Sequence, residues 1–102
     1  MTDRLKGKVA LITGGASGLG ANAAMLMAQE GASVVVADVA EARGKAVADK
    51  LGAAGHFVKL DVTSTAQVAS AVAAARVHFG QIDVLVNNAG YGHFGTVESL
   101  PL

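Results

Sequence analysis

Short continuous apolar runs alternate along this chain with longer segments in which alanine, valine and methionine recur at helical intervals. Residues 8–13 (KVALIT) form an apolar run ended by a glycine-rich turn, the pattern of a strand buried on both faces. Residues 18–30 are strong helix formers with Ala21, Ala24, Met25 and Ala28 on one face, and Gly31 stands where a C-terminal cap is expected. Residues 33–38 (SVVVAD) predict a second buried strand, 41–53 a second helix closed by Gly55, and 56–60 a third strand. Ser64-Thr65-Ala66-Gln67 has capping-box spacing, so a third helix is expected over 64–79, carrying Val68, Val72, Ala75 and Phe79 at helical spacing and ending at Gly80. Residues 82–87 (IDVLVN) predict a fourth strand. Beyond Gly90 the chain is glycine-rich, and Leu102 falls where another helix could begin.

Strands alternating with helices predict an α/β fold with a parallel sheet and helical crossovers. Right-handed crossovers place the first strand centrally, the second and third outward on one side, and the fourth on the other, in the order 3-2-1-4. The first two helices then share one face and the third crosses the opposite face. A topological switch point falls between the first and fourth strands, where ligands bind at the carboxyl ends. No internal repeat or interdomain linker is visible.

Composition narrows the chemistry. The 102 residues hold eight basic and eight acidic side chains and no cysteine. The balance of charge argues against nucleic acid or an acidic membrane as partner. The missing thiols remove a disulfide scaffold, a zinc–thiolate site and a cysteine nucleophile together. No apolar run approaches the ~18 residues of a membrane span. Because the opening Met1-Thr2-Asp3-Arg4-Leu5-Lys6 is too polar for a secretory signal, a cytoplasmic location is expected.

The candidate site begins at the first turn, Thr13-Gly14-Gly15-Ala16-Ser17-Gly18-Leu19-Gly20. A phosphate bound here would meet backbone N–H groups and the positive end of the first helix. Gly14 permits the tight turn, Gly18 lets a pyrophosphate approach the backbone, and Gly20 lets the helix pack closely. A Walker-type loop does not fit, since the Lys-Ser/Thr pair is missing. Asp38 follows Gly20 at close to the ~20-residue separation of the carboxylate that accepts from an adenosine ribose. Its plainer reading is a solvated turn aspartate that caps the next helix. A 2′-phosphate ~4 Å from this carboxylate would be repelled by about 4 kcal/mol per unit charge at an effective dielectric near 20, less where solvent screens it. The expected cofactor is therefore NAD rather than NADP; the glycine turn has no basic residue to offset the repulsion, and Arg43, a few residues beyond Asp38, is the cation that opposes that preference.

Together with Asp61-Val62 after the third strand and Asn87-Asn88-Ala89-Gly90 after the fourth, the turn resembles the short-chain dehydrogenase/reductase family, in the branch with the T-G-x-x-x-G-x-G pattern. The resemblance spans Lys8 to about Gly90 and implies the cofactor-binding part of a Rossmann-type doubly wound sheet, an NAD(P)-dependent oxidoreductase. It implies that Asp61 holds the adenine amino group, that the Val62 backbone meets the ring, and that Asn88, Ala89 and Gly90 pass close to the ribose and nicotinamide. Ser17 and Leu19 would contact the diphosphate and nearby ribose, while Asn87 steadies the sheet. The turn's wording is most similar to members acting on hydroxyacyl thioesters or hydroxysteroids.

The family's chemistry is hydride transfer between nicotinamide and an alcohol or carbonyl substrate, with a tyrosine as acid/base, a lysine four residues later and a serine. Such a phenol needs a neighbouring cation to act near neutral pH. The single tyrosine, Tyr91, is followed four positions on by Gly95, so it reads as a loop or pocket residue. His56, His78 and His93 show no metal spacing. The expectation is a cofactor-binding segment cut before its catalytic residues and inactive by itself, the alternatives being a non-catalytic nucleotide-binding module or an inactive fragment. Val84, Leu85 and Val86 are expected to lie on a bare sheet edge, which makes the isolated chain marginally stable and prone to self-association.

Overall fold

The computed structural model describes residues 4–16, 18–61, 63–87 and 96–99. Its elements are β1 (Val9–Thr13), α1 (Gly18–Gln29), β2 (Ser33–Asp38), α2 (Glu41–Leu51), β3 (Gly55–Lys59), α3 (Thr65–Phe79), β4 (Val84–Asn87) and β5 (Thr96–Ser99). Each predicted strand and helix is present. One boundary moves for a clear reason: α2 ends at Gly52 rather than Gly55, because Gly52 takes φ +62° and the chain makes a single 3₁₀ turn over Gly52–Ala54. Gly55 instead opens β3, where a Cβ would press on Ala48 O and Leu51 Cβ of α2. Ser64 does cap α3, its Oγ accepting from the Gln67 N–H at 3.2 Å, and Gly80 ends that helix in the left-handed conformation.

The sheet runs β3-β2-β1-β4-β5. β1 pairs in parallel with β2 and β4, and β2 with β3, giving the 3-2-1-4 order and the switch point between β1 and β4. The expected bare edge at β4 is corrected by the structure. β5 pairs antiparallel with β4, Val84 opposite Ser99 and Asn87 opposite Thr96, so association through an open β4 edge loses its premise. A glycine-rich sequence carries little strand periodicity, which is why this return strand was not legible.

Alternation along the strands feeds two cores. Ile12, Val34 and Val36 face α1 and α2, where Ala24, Val47 and Ala48 cover them and Ala21, Ala28, Met27 and Phe57 pack at the margin. Leu11, Val35 and Ala37 face α3, beneath Ala71 and Ala75, with Leu60 and Ile82 completing the layer. Val68, Val72 and Phe79 pack against that layer as their spacing predicts. At the amino edge of the sheet, Val9 and Asp83 are joined twice: Val9 N–H donates to Asp83 Oδ2 and Asp83 N–H to Val9 O, both at 2.8 Å. Gln81 Nε2 donates to the same carboxylate and to Gly7 O. No helix among the described residues is long and apolar enough to cross a membrane.

His56 of β3 and His78 of α3 stack with ring centroids 4.0 Å apart and planes 12° from parallel. Burial and then the neighbouring imidazole lower the His56 pKa from its ordinary 6.5. A depressed value means that the folded state favours the neutral ring. Its contribution is therefore present above pH 6.5 and is lost as pH falls through the lowered value. Urea midpoints measured through that acid window should fall for the native sequence and fall less for His56→Gln.

Candidate functional site

Parallel register gathers the candidate residues on one edge. Thr13 lies opposite Ala37 on one side and Asn87 on the other, and Ala37 lies opposite Val58. The glycine turn, Asp38 and the Asp61 segment thus all leave the sheet at its carboxyl edge. Thr13 Oγ1 donates to Val86 O across the switch point at 3.4 Å, and Leu60 N–H donates to Asp38 O at 3.1 Å.

The turn owes its shape to glycine. Gly14 and Gly18 adopt φ +66° and +57°, a region that L side chains disfavour. A Cβ on Gly20 would run into Gly14 O, so α1 reaches this depth only with glycine there. A Cβ on Gly18 would meet no atom within 4 Å, and Gly18 and Leu19 are exposed. The opening N–H groups of a helix have no intrahelical partner. At the start of α1 the Cβ position of Gly18 meets open space, a setting that fits a phosphate. Gly15, which the sequence reading passed over, is equally constrained: its Cβ would lie 2.9 Å from Val36 Cγ1 and 3.2 Å from Ile12 O.

Asp38 ends β2 half-buried and turns toward the glycine turn. Its Oδ2 accepts from the Ala16 N–H at 3.0 Å and its Oδ1 from the Ala40 N–H at 2.9 Å. Gly15 N–H donates to Ala37 O at 3.2 Å. Two amides on the strand side of the turn are thus held by the protein itself. Asp38 does not cap α2, whose N-cap is Ala40 without a side-chain bond. An ionised carboxylate offers about four acceptor positions, so both oxygens keep capacity for ribose hydroxyls.

Asp61 is held in a turn of its own. Its Oδ1 accepts from the Thr63 hydroxyl at 2.6 Å and the Thr63 N–H at 2.9 Å, and these bonds lower its pKa below the ordinary 3.8, the hydroxyl contributing most. Its own N–H donates to Gln67 Oε1 at 2.8 Å. The Gln67 side chain therefore reaches past the cap residue to Asp61, while the Ser64 N–H donates to Asp61 O. This departs from the simple reciprocal capping box.

The structure brings together Gly14, Gly18, Leu19, Gly20, Asp38 and Asp61 at one edge. Ser17, Val62, Asn88, Ala89 and Gly90 lie outside the described residues, as do Tyr91 and His93. Missed by the sequence reading were Gly15, Thr63 and the two backbone contacts of Asp38. The only available signal was the second glycine of the Gly14-Gly15 pair.

Over residues 8–102 the sequence matches the short chain dehydrogenase family, and the chain belongs to it. It is 50% identical over its full length to 3-alpha-(or 20-beta)-hydroxysteroid dehydrogenase of Mycobacterium tuberculosis, covering 39% of that enzyme. It is 49% identical over 99 residues to 3-beta-hydroxysteroid dehydrogenase of Comamonas testosteroni, again covering 39% of it. Among solved structures, 3-ketoacyl-(acyl-carrier-protein) reductase of Brucella melitensis, crystallised with NADH, superposes with a TM-score of 0.82 at 48% identity, over 84% of this chain and 36% of that one. The chain thus spans about two fifths of the length of the curated relatives it matches.

Two substitutions test the site's construction. Gly20→Ala should destabilise the fold by about 1–3 kcal/mol in denaturant titrations, since backbone rather than a flexible side chain must yield. Thr63→Val should raise the Asp61 pKa toward its ordinary value, read by NMR titration of the carboxyl carbon. The stability that Asp61 gives above pH 3.8, lost as pH falls through its lowered value, should shrink with it.

Proposed function

We propose that this chain binds a nicotinamide dinucleotide along the carboxyl edge of its sheet, with the diphosphate on the amides that open α1 and the adenosine ribose on Asp38. It thereby supplies the cofactor-binding part of an oxidoreductase that moves hydride between nicotinamide and an alcohol or carbonyl carbon of a small molecule. The observation that carries this reading is the placement of the Asp38 carboxylate, 3.0 Å from the Ala16 amide of the glycine turn, together with the open space at the Cβ position of Gly18, which starts α1. Asp61, with both Thr63 bonds on Oδ1, would hold the adenine amino group. Ser17, Val62, Asn88, Ala89 and Gly90 would complete the contacts. The bound group supplies the hydride acceptor or donor, and the described residues bind and orient it.

NAD is favoured over NADP, because a 2′-phosphate would have to lie against an anion already fixed by two N–H donors. Similarity to a hydroxysteroid dehydrogenase and to a 3-ketoacyl-(acyl-carrier-protein) reductase makes hydroxysteroids and oxoacyl compounds the leading substrate classes. Tyr91 lacks a lysine four positions on, so binding rather than turnover is the property proposed for this chain itself.

Fluorescence titration with NADH should saturate and be reversed by ADP-ribose, while NADPH should bind at least tenfold more weakly. Asp38→Ala should narrow that difference. No binding of NADH at millimolar concentration would overturn the reading.

A further inference from the structure

Asp38 joins two loops through its two carboxylate oxygens. Its Oδ2 takes the Ala16 N–H of the glycine turn and its Oδ1 the Ala40 N–H of the segment leading into α2. A turn containing Gly14, Gly15 and Gly18 has unusual backbone freedom to lose on adopting one shape. The Gly15 N–H···O Ala37 bond, at 3.2 Å, also ties that turn to β2. We propose that Asp38 is a positioning residue for the diphosphate as well as a ribose contact: by holding Ala16, it sets the posture in which the α1-opening amides meet phosphate. This rests on the dinucleotide reading above, and adds that Asp38 governs recognition of a part of the ligand that it does not touch.

The chemistry separates this role from the ribose contact. Ionised aspartate accepts on both oxygens, whereas asparagine offers one acceptor and one donor. Whichever way the amide turns, Ala16 or Ala40 faces a donor, and one loop is released. Charge alone gives the opposite sign: removing an anion near a diphosphate relieves repulsion and should tighten binding of any ligand without ribose hydroxyls.

The test is calorimetric titration of the purified chain and its Asp38→Asn variant with ADP and with 2′,3′-dideoxyadenosine 5′-diphosphate, accompanied by amide hydrogen exchange. The native sequence should bind both ligands. Asp38→Asn should weaken both, the dideoxy ligand by about tenfold, and should reduce protection at the Ala16 or Ala40 amide. Equal or tighter binding of the dideoxy ligand by the variant, with only ADP weakened, leaves a ribose contact alone and overturns the proposal. A native chain that binds neither ligand overturns the dinucleotide reading itself, and the proposal with it. If Asp38→Asn does not fold, Asp38→Glu carries the same comparison. It keeps the charge but shifts both acceptors by a methylene, so positioning demands weaker dideoxy-ligand binding and charge alone demands none.

Discussion

The constraint on which the rest depends is the parallel hydrogen-bonded register of β1 with both of its neighbours. With Thr13 level with Ala37 and Asn87, three strands end on one line, and everything that leaves them emerges at the same edge. The right-handed crossovers then send α1 and α2 to one face and α3 to the other, opening a crevice where the two directions part. Buried valines on both sides of β2 make slippage costly, since a shift of one residue would exchange the two cores. The site's geometry is thus a consequence of packing before it is a matter of chemistry.

On that edge the proposed site would rely on short-range, directed donors rather than on accumulated charge. With eight cations balancing eight anions, no broad field draws an anion in from a distance. The amides at the start of α1 would act only at contact, so their effect would depend on how well the turn holds its shape. Asp38, joined to main-chain donors on two sides, links the rigidity of the turn to the edge of the neighbouring loop. Asp61 shows the same economy on a smaller scale, with Thr63 and Gln67 fixing a carboxylate that lies on the surface.

Much of the fold was legible because the signals were local and mutually consistent. Apolar runs marked β1 and β2, Ser64 marked the start of α3, and strand–helix alternation gave the sheet order. The candidate site was legible in its residue types: glycines at the turn, acids at or just past the ends of two strands. The missing parts depend on three-dimensional proximity. Gly15 is required by Val36, a neighbour from another strand. The reach of Asp38 to Ala16 crosses 22 positions. The Gln67 side chain accepts from the Asp61 N–H rather than from that of the cap residue its spacing indicates. β5, short and preceded by glycines, has no periodicity long enough to announce itself.

The double link between Val9 and Asp83 joins residues 74 positions apart, about three times the separation that brings β1 to β2. Loop-closure entropy grows with the logarithm of length, so this junction costs the disordered chain roughly 1 kcal/mol more to form than its neighbour. The gap between β1 and β4 is also where the proposed ligand crevice lies. The proposed recognition would thus be built on the seam that is entropically hardest to close, and a chain short of β4 could possess the glycine turn, properly shaped, with only one wall beside it.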